Sequence, residues 1–376
     1  MAMRIGLNLL PAMPETGGSW NYIARLVAAL GEHDRRNEYV AFVTGRSAEL
    51  APRRENFTIV PIAIDPVSRL RRIGFENARL PRLARRLRLD VLHGFANTLP
   101  LANPVPGVVT IYDLIVLQSP RSFSLAQRLY LRAMLPHTVR RAACLLPMSE
   151  STAGALRSLL HAPAERMRVI PAIVGDRFRP APPGRVEELR RRLGLPGAFW
   201  LYVAHFYRHK NHLRLLQAYR GLKAGGHAPW PLVLRGRDCG VGVEARRLVR
   251  EWGLERDVLF LPALSEEDLA VLYAAAGALV FPSLHEGGGM PVVEAMACGC
   301  PILASGIPVV REFAGDAAAY FAADDAGAIA AAMASFQAAG GERERLGRAG
   351  LARAEAYRAA RVVPALLEAY SMARSG

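Results

Sequence analysis

The sequence predicts an α/β protein made of two doubly wound domains, each built on a parallel sheet. Short apolar runs rich in β-forming residues alternate with amphipathic stretches of helical period along the chain. The alternation breaks at a Pro-rich segment, residues 179–184, which we interpret as a linker, and then restarts. The 376 residues, 51% of them hydrophobic, fit about two domains with their own cores and exclude a disordered or low-complexity chain.

Each predicted strand is an apolar run bounded by turn-forming residues. In the first half these runs cover residues 4–9, 39–44, 57–63, 91–95, 108–114, 144–148 and 169–173. After the linker they cover residues 199–204, 231–235, 258–261, 278–282, 301–304 and 318–321. Helical periodicity runs through residues 19–30 and 125–141, and a further helix is expected to begin at Ser149. Ser265 precedes three acidic residues and an apolar stripe, which is typical of a helix N-cap.

In doubly wound folds, ligands bind beyond the carboxyl ends of the strands. Two such domains are therefore expected to face each other across an interdomain cleft that holds the ligand. The side chains that follow the strands are the candidates for chemistry.

Arginine dominates the charge of the protein. The formal net charge is +15, and only Lys210 and Lys223 are lysine, so lysine is rare among the basic residues of this chain. Aromatic residues make up 7% of the chain and do not interleave with the basic patches, which argues against nucleic acid as a partner.

One basic stretch, residues 69–88, holds eight arginines against the single acid Glu76. Arg82, Arg85 and Arg86 share one predicted helical face. This stretch favours an anionic membrane surface or another polyanion as a partner. A solvated arginine-rich face is the alternative.

The cysteines indicate a reducing compartment. They show no paired C-x-x-C spacing and lie among apolar or glycine neighbours, so neither a zinc site nor a disulfide framework is expected. They are Cys144, Cys239, Cys298 and Cys300.

The chain start lacks a signal-peptide pattern, and the longest apolar run, residues 270–281, is shorter than the roughly 20 residues that span a bilayer. We expect a cytoplasmic protein that at most lies at the inner face of the membrane.

Residues 281–301 carry the strongest site signal, because they are predicted to run from a strand through a Gly-rich turn into a helix. Glycine lets the backbone approach a ligand closely, and amides at a helix start favour phosphate. The turn and helix start consist of Gly287, Gly288, Gly289, Met290 and Pro291.

Two carboxylates frame this turn, Glu286 before it and Glu294 in the helix. Helical side chains lean toward the N-terminus, so Glu294 is expected to point back to whatever binds there. Carboxylates repel phosphate but accept hydrogen bonds from hydroxyls, which suggests a ligand with both groups, such as a nucleotide sugar. An ordinary strand-to-helix turn with a capping or solvated Glu294 is the alternative.

A second basic segment follows another predicted strand, at residues 205–212. Arg208 and Lys210, with histidines beside them, place cations at a strand end. In a chain that otherwise uses arginine, this lysine suggests a compact ammonium group against phosphate. A basic surface loop is the alternative.

The first half offers weaker candidates at its strand ends. Gly17 and Gly18 follow the first strand and suit a flexible loop over the acceptor or the donor phosphate. His93, Tyr112 and Asp113 also end strands and are candidates for the acceptor side, although each is more often structural. The spaced glycines of a dinucleotide fingerprint are missing, so the sequence does not favour NAD.

Several common motifs are missing. The sequence contains no Asp-x-Asp triplet for Mg²⁺ and no Walker Gly-Lys-Ser/Thr, Gly-x-Ser-x-Gly or His-Glu-x-x-His. No metal ligands are therefore predicted.

Glu286 and Glu294, with Gly-Gly-Gly-Met-Pro between them and Ala-Met-Ala-Cys-Gly-Cys-Pro after them, closely resemble the E-x7-E signature of retaining GT-B glycosyltransferases of family 4. The resemblance covers nearly the whole chain, including Lys210-Asn211 and residues 109–114 and 265–273. It implies two Rossmann-like domains, an acceptor-binding one at 1–178 and an NDP-sugar-binding one at 179–353. A last helix, 354–376, is expected to cross back to the N-terminal domain. The donor is then a substrate, with no cofactor and no metal.

The resemblance also implies a role for each residue. Glu294 is expected to hydrogen-bond the nucleotide ribose, and Glu286 to contact the transferred sugar. Arg208 and Lys210, with the amides of residues 288–290, are expected to hold the diphosphate and stabilise it as the leaving group. In this family a phosphate oxygen of the donor is thought to help deprotonate the acceptor on the same face, with retention of configuration.

Three positions depart from the family pattern. Gly288 stands where a Phe is usual, His209 stands where relatives often have the Arg next to the Lys, and Tyr112 stands where many members have His.

The sequence thus predicts a retaining hexosyltransferase that uses GDP-mannose or a UDP-hexose. The acceptor is expected to be a glycan, a glycolipid or a lipid-linked molecule of cell-surface polysaccharide synthesis. The alternatives are a nucleotide-sugar epimerase of the same fold and a non-catalytic module that binds glycans or polyanions.

Overall fold

The computed structural model describes residues 2–65, 67–118 and 124–375. The chain divides into two compact units. One is Met1–Ile173 together with Arg358–Gly376, and the other is Val174–Tyr357. The boundaries drawn from the sequence, after residues 178 and 353, lie a few residues away.

The first unit is built on a six-stranded sheet. Its strands are β1 (Arg4–Asn8), β2 (Glu38–Val43), β3 (Phe57–Pro61), β4 (Val91–Gly94), β5 (Gly107–Ile111) and β6 (Cys144–Pro147). The helices between and after them are α1 (Gly18–His33), α2 (Arg69–Ala78), α3 (Leu80–Arg86), α4 (Ile115–Gln118), α5 (Leu125–Arg141) and α6 (Glu150–Leu160).

The second unit is built on another six-stranded sheet. Its strands are β7 (Trp200–Val203), β8 (Leu232–Arg235), β9 (Val258–Leu261), β10 (Ala278–Phe281), β11 (Ile302–Ser305) and β12 (Ala318–Phe321). Its helices are α7 (Pro183–Leu193), α8 (His212–Ala224), α9 (Gly242–Glu251), α10 (Glu266–Ala275), α11 (Met290–Ala297), α12 (Pro308–Ala314), α13 (Ala326–Ala338) and α14 (Gly340–Ala354). The last helix, α15 (Ala359–Ser375), returns to the first unit.

Both sheets have the same parallel topology. The first runs in the order β3-β2-β1-β4-β5-β6, and the second in the order β12-β11-β10-β7-β8-β9. In each, the first strand of the unit lies beside the fourth, which is the doubly wound order of dinucleotide-binding domains. The apolar strands are short and mostly buried, as helices on both faces of a parallel sheet require. The predicted fold class is confirmed.

The predicted strand at residues 169–173 is wrong. The segment runs beside β6, with backbone hydrogen bonds of 3.0 Å from Arg168 to Leu145 and from Ile170 to Pro147, but it forms only an isolated bridge at Met167. Pairing through two N–H groups and one bridge is too short to form a strand.

The Pro-rich segment at residues 179–184 lies inside the second unit. Pro183 is the first residue of α7, a position where its fixed φ and missing N–H are tolerated. The segment therefore does not link the two units, although the sequence suggested a linker there.

The helix start expected after Ser265 is confirmed, because Oγ of Ser265 accepts a hydrogen bond of 3.1 Å from the N–H of Asp268.

The last helix begins at Ala359 rather than at residue 354 and packs against α1 and against β4, β5 and β6. Tyr370, fully buried, connects it to β4, because its hydroxyl lies 2.8 Å from Nδ1 of His93. A segment from the end of the chain thus completes the first unit.

Candidate active site

The candidate site lies in the second unit, at the ends of β7 and β10. These strands are neighbours, with Trp200 opposite Ala278 and Leu201 opposite Leu279. They are the first and fourth strands of the unit, so the chain leaves them toward opposite faces of the sheet and a crevice forms between the two loops. The loops are residues 204–211 after β7 and residues 282–289 after β10.

Lys210 and Glu286, one from each loop, form an ion pair. Nζ of Lys210 lies 2.5 Å from Oε1 of Glu286, and the side chains are 17% and 7% exposed. A charged hydrogen bond that is shielded from water is stronger than one at the surface. The hydroxyl of Tyr202 on β7 donates to the carbonyl oxygen of Lys210 at 2.6 Å and fixes its backbone.

Glu286 is also held from within its own loop. Oγ of Ser283 donates to Oε1, the same oxygen that Lys210 contacts, at 2.6 Å. Ser283 is fully buried, and its carbonyl oxygen accepts a hydrogen bond of 2.7 Å from Oγ of Ser305 on β11. Two donors on one oxygen fix the direction of the carboxylate, and its other oxygen has lone pairs that can accept from a hydroxyl of a ligand.

Asn211 joins the two loops behind the ion pair. Its backbone has a left-handed conformation, with φ at +63°. Its buried Nδ2 donates to the carbonyl oxygens of Pro282 and Ala323, at 3.1 and 2.7 Å. One amide thus connects the chain after β7 with the chain after β10 and after β12.

The Gly-rich turn ends at the start of α11. Gly289 is left-handed, with φ at +49°, and a Cβ there would lie 3.4 Å from the ring of Phe313, so glycine suits both the conformation and the space. The turn begins with Gly287 and Gly288, and the helix with Met290 and Pro291. The N-terminal end of a helix carries a partial positive charge and favours phosphate.

Glu294, the second predicted carboxylate, is buried on α11, and its Oε2 accepts a hydrogen bond of 2.9 Å from the hydroxyl of Tyr273 on α10. Burial and the neighbouring Glu294 raise the pKa of Tyr273 well above its ordinary value, so its hydroxyl stays protonated and can donate. Glu294 is therefore an oriented acceptor rather than a solvated surface acid.

The histidines of the loop after β7 are neutral at pH 7. Burial, with Arg237, Arg235 and Lys210 nearby, lowers the pKa of His205 to about 4. Burial and Lys210 also lower the pKa of His209 to about 4. Arg208 is exposed, and its guanidinium group forms no hydrogen bond or ion pair within the described residues. The positive charge of this loop at pH 7 therefore rests on Arg208 and Lys210, not on His209.

In the first unit, Gly17 and Gly18 stand at the start of α1. Gly17 has φ at +62° and ends a 3-10 turn, Pro14–Thr16, and Gly18 is the first helical residue. The loop that they end follows β1, the first strand of this sheet. Their place relative to a ligand stays a prediction.

His93 is a core residue in this structure. It is 0% exposed, with Nδ1 2.8 Å from the hydroxyl of Tyr370 and Nε2 2.9 Å from Oγ1 of Thr110. Burial lowers its pKa to about 3, so it is neutral. The expectation that His93 reaches an acceptor is corrected, because α15 covers it and both ring nitrogens have partners.

Tyr112 and Asp113 follow β5. The backbone N–H of Tyr112 donates to Oδ1 of Asn97 at 2.8 Å, and its ring packs edge-on against Tyr22, with 5.5 Å between the centroids. Oδ1 of Asp113 accepts from the N–H of Ile115 at 3.0 Å, at the start of α4. Asp113 is partly exposed, which leaves room for contact with a ligand, whereas the hydroxyl of Tyr112 is buried and has no hydrogen-bond partner within the described residues.

Sequence reasoning missed four site residues. Ser283, Ser305 and Asn211 support the ion pair, and Tyr273 orients Glu294. Ser283 offered a local signal, since it stands three residues before Glu286 in the same loop, and Asn211 and Tyr273 lie in segments that resemble the family, although no role was assigned to them. The other contacts join residues far apart in the chain.

Residues 2–65, 67–118 and 124–375 hold no group of three or more His, Cys, Asp or Glu side chains arranged to bind a metal ion. None of their helices has both the length and the apolar character needed to cross a membrane.

Two family models match the chain. Glycosyltransferase Family 4 matches residues 16–175, and Glycosyl transferases group 1 matches residues 186–353. Together they cover most of the chain.

The chain is also similar to bacterial mannosyltransferases. It is 28% identical over 226 residues to O-antigen chain mannosyltransferase B of Escherichia coli, covering 60% of this chain and 59% of the relative. It is 27% identical over 229 residues to O-antigen chain mannosyltransferase RfbU of Salmonella typhimurium, covering 61% and 60%. The chain thus spans about three fifths of the length of these curated relatives.

Solved structures share the fold over nearly the whole chain. Sucrose-phosphate synthase of Thermosynechococcus elongatus aligns with a TM-score of 0.80 and 22% identity, covering 98% of both chains. HepE of Anabaena, solved with UDP and glucose, aligns with a TM-score of 0.78 and 18% identity, covering 98% of this chain and 99% of the other.

Proposed function

Because the chain belongs to the family 4, or group 1, glycosyltransferases, we propose that it transfers a hexose from a nucleoside diphosphate sugar to a hydroxyl of a glycan or lipid-linked acceptor. Its fold is GT-B, with two Rossmann-like domains. The observation that carries the proposal is the buried pair of Lys210 and Glu286 beside the start of α11, at the switch point of the second sheet.

Each part of this site matches one part of the donor. Lys210 and Arg208 provide positive charge for the diphosphate, and the N-terminal end of α11 adds backbone amides. Glu286 and Glu294 are held as acceptors for hydroxyl groups, Glu286 for the transferred sugar and Glu294 for the ribose. Lysine has three N–H donors, so Lys210 can bind a phosphate oxygen and keep its bond to Glu286.

We infer the chemistry from the resemblance to retaining family 4 enzymes. The bond between the anomeric carbon and the diphosphate breaks, and the acceptor oxygen bonds to that carbon on the same face, so the configuration is retained. The proton of the acceptor hydroxyl moves to the departing phosphate oxygen. Lys210 and Arg208 stabilise the negative charge that develops on the diphosphate, a role that in other sites needs a divalent metal. We therefore expect transfer in the presence of EDTA.

The donor and acceptor are proposed from the relatives. The mannosyltransferases named above act in O-antigen synthesis, which favours GDP-mannose and a cell-surface polysaccharide. A fold neighbour was solved with UDP-glucose, which keeps a UDP-hexose as the second donor. A lipid-linked acceptor would bring the protein to the inner face of the membrane.

The test compares two pairs of variants. Lys210→Ala and Glu286→Ala are expected to lower transfer from the NDP-sugar at least about a hundredfold, because each removes a contact to the leaving group or to the sugar. Lys223→Ala and Asp257→Ala are matched controls, since they break another Lys–carboxylate ion pair, of 2.7 Å, that lies on the surface of the same unit. The controls are expected to keep wild-type rates.

Melting temperatures with and without nucleoside diphosphates show whether each variant is folded and binds ligand. Wild-type transfer by both Lys210→Ala and Glu286→Ala would contradict the proposal. Conversion of the NDP-sugar without any acceptor would instead identify an epimerase.

A further inference from the structure

The first unit contains a groove whose lining residues are not among those assigned to glycosyl transfer. It has a volume of about 410 Å³ and lies between the segment after β3 and the helices α2 and α3. Its lining residues are Pro61, Ile62, Ala63, Ile64, Phe75, Arg79, Arg82, Leu83 and Arg86. Six of the nine are apolar and three are arginine.

The apolar side chains form its base. Ile62, Ile64, Phe75 and Leu83 are partly buried and pack against the core cluster of this part of the unit. Each of these side chains thus lines the groove on one side and packs against the core on the other. Apolar area next to solvent is available for an apolar ligand, because its burial is favourable at roughly 25 cal/mol per Å².

The three arginines have no acidic partner. Arg79, Arg82 and Arg86 are exposed, and none forms an ion pair within residues 2–65, 67–118 and 124–375. The acid of this stretch, Glu76, is buried elsewhere: it accepts a hydrogen bond of 2.9 Å from Nδ2 of Asn8. No acid is among the residues that line the groove. Guanidinium groups bind phosphate oxygens in a planar, bidentate manner.

The structure also separates the arginines of the basic stretch, residues 69–88, into those that line the groove and those that do not. Arg82 and Arg86 are one helical turn apart on α3 and line the groove, whereas Arg85, equally exposed, does not. On α2, Leu70 is 85% exposed close to Arg71, which also lies outside the groove. The positive charge at the groove is thus distinct from the charge spread over the rest of the helices.

We propose that this groove is a specific site for a lipid phosphate, with the phosphate on Arg79, Arg82 and Arg86 and the apolar chain along Ile62, Ile64, Phe75 and Leu83. Charge complementarity selects an anion, and the apolar base selects one that carries a hydrocarbon chain. The proposal does not depend on glycosyl transfer, since it concerns binding by the first unit.

The test is calorimetric titration of the full chain with dodecyl phosphate below its micelle concentration, with butyl phosphate and inorganic phosphate, and with uncharged dodecyl maltoside. Dodecyl phosphate is expected to bind at least tenfold more tightly than butyl phosphate, inorganic phosphate or the maltoside. Each buried methylene strengthens binding about fourfold, so affinity rises with chain length. Equal affinity for dodecyl and inorganic phosphate, or no binding of dodecyl phosphate, overturns the proposal.

Two double variants with the same change of charge separate the groove from general surface attraction. Arg82→Gln with Arg86→Gln is expected to weaken dodecyl phosphate binding at least tenfold. Arg71→Gln with Arg85→Gln is expected to leave it within twofold of wild type. Equal weakening by both pairs would show non-specific attraction and overturn the site. All four positions are exposed, so a circular dichroism melt is expected to match wild type in both proteins.

Discussion

Glu286 receives both of its hydrogen bonds on one oxygen, from Lys210 across the two loops and from Ser283 in its own loop. Lys210 balances the charge of the carboxylate, whereas Ser283 is neutral and fixes its direction. The bond from Ser283 holds the carboxylate in this direction independently of any further contact that Lys210 makes. Ser283 is thus a positioning residue of the proposed site.

We expect Ser283→Ala to lower turnover about tenfold or more while the Kd for the nucleoside diphosphate stays within about twofold, because the diphosphate does not contact this hydroxyl. Initial-rate kinetics and calorimetry measure the two quantities. Ser124→Ala is the control, since it removes the N-cap of α5 and destabilises the protein by about 1 kcal/mol without touching the site. Equal loss of turnover in both variants would mean that the effect of Ser283→Ala is only structural.

At the scale of elements, the site depends on how α8 begins. Its N-cap, Asn211, has a left-handed backbone and donates to carbonyl oxygens beyond β10 and β12. The helix start is thus attached to the chain after two other strands of the sheet, and Lys210, the residue before Asn211, is held in register with Glu286. A second contact between elements positions Glu294, because Tyr273 on α10 donates a hydrogen bond to this residue on α11.

Asn211→Gly and Asn211→Ala separate these two contributions. Both leave the carbonyl oxygens of Pro282 and Ala323 without this donor, so each is expected to lower the free energy of unfolding by about 2 kcal/mol. Ala at φ of +63° adds about 1 kcal/mol of backbone strain that Gly avoids. Urea denaturation measures the difference. Identical stability of the two variants would show that the left-handed backbone relaxes at no cost.

At the scale of the whole molecule, buried imidazoles link stability to pH. Burial lowers the pKa of His93 in the first unit and of His212 in the second to about 3, and that of His205 and His209 to about 4. These groups bind fewer protons in the folded than in the unfolded state, where the pKa is about 6.5. Their contribution to stability is complete above that pH and is lost as the pH falls toward 4 and 3.

We therefore expect the free energy of unfolding to fall steadily between pH 6.5 and pH 4. His93→Gln keeps a polar group for Tyr370 and Thr110 but does not titrate, so its stability is expected to depend less on pH, by up to about 1.4 kcal/mol per pH unit. Denaturation at several pH values measures the slope. The burial of Glu76 raises its pKa and acts in the opposite direction, one carboxyl against four imidazoles. An unchanged slope in His93→Gln would show that His93 binds its proton equally well in both states.

Local patterns in the sequence were sufficient for the fold class, for most strands and for the N-cap at Ser265. They also placed Lys210, Glu286 and the helix start after Gly289 in the loops that follow β7 and β10. These features depend on contiguous residues, because periodicity, turn chemistry and capping act over a few positions. The strand expected at residues 169–173 failed because an apolar run does not specify backbone pairing, and this segment pairs with the edge strand β6 through two hydrogen bonds and one bridge.

By itself, then, the sequence determined two doubly wound domains and the loops that carry the candidate chemistry. The tertiary structure alone decided which side chains meet: Lys210 with Glu286, 76 positions apart, and His93 with Tyr370, 277 positions apart. The second contact shows that His93, which the sequence placed on the acceptor side, is a core residue. It also decided which arginines of the basic stretch line the groove. The reason is that such contacts depend on strand order and on the packing of distant helices, which no local pattern specifies.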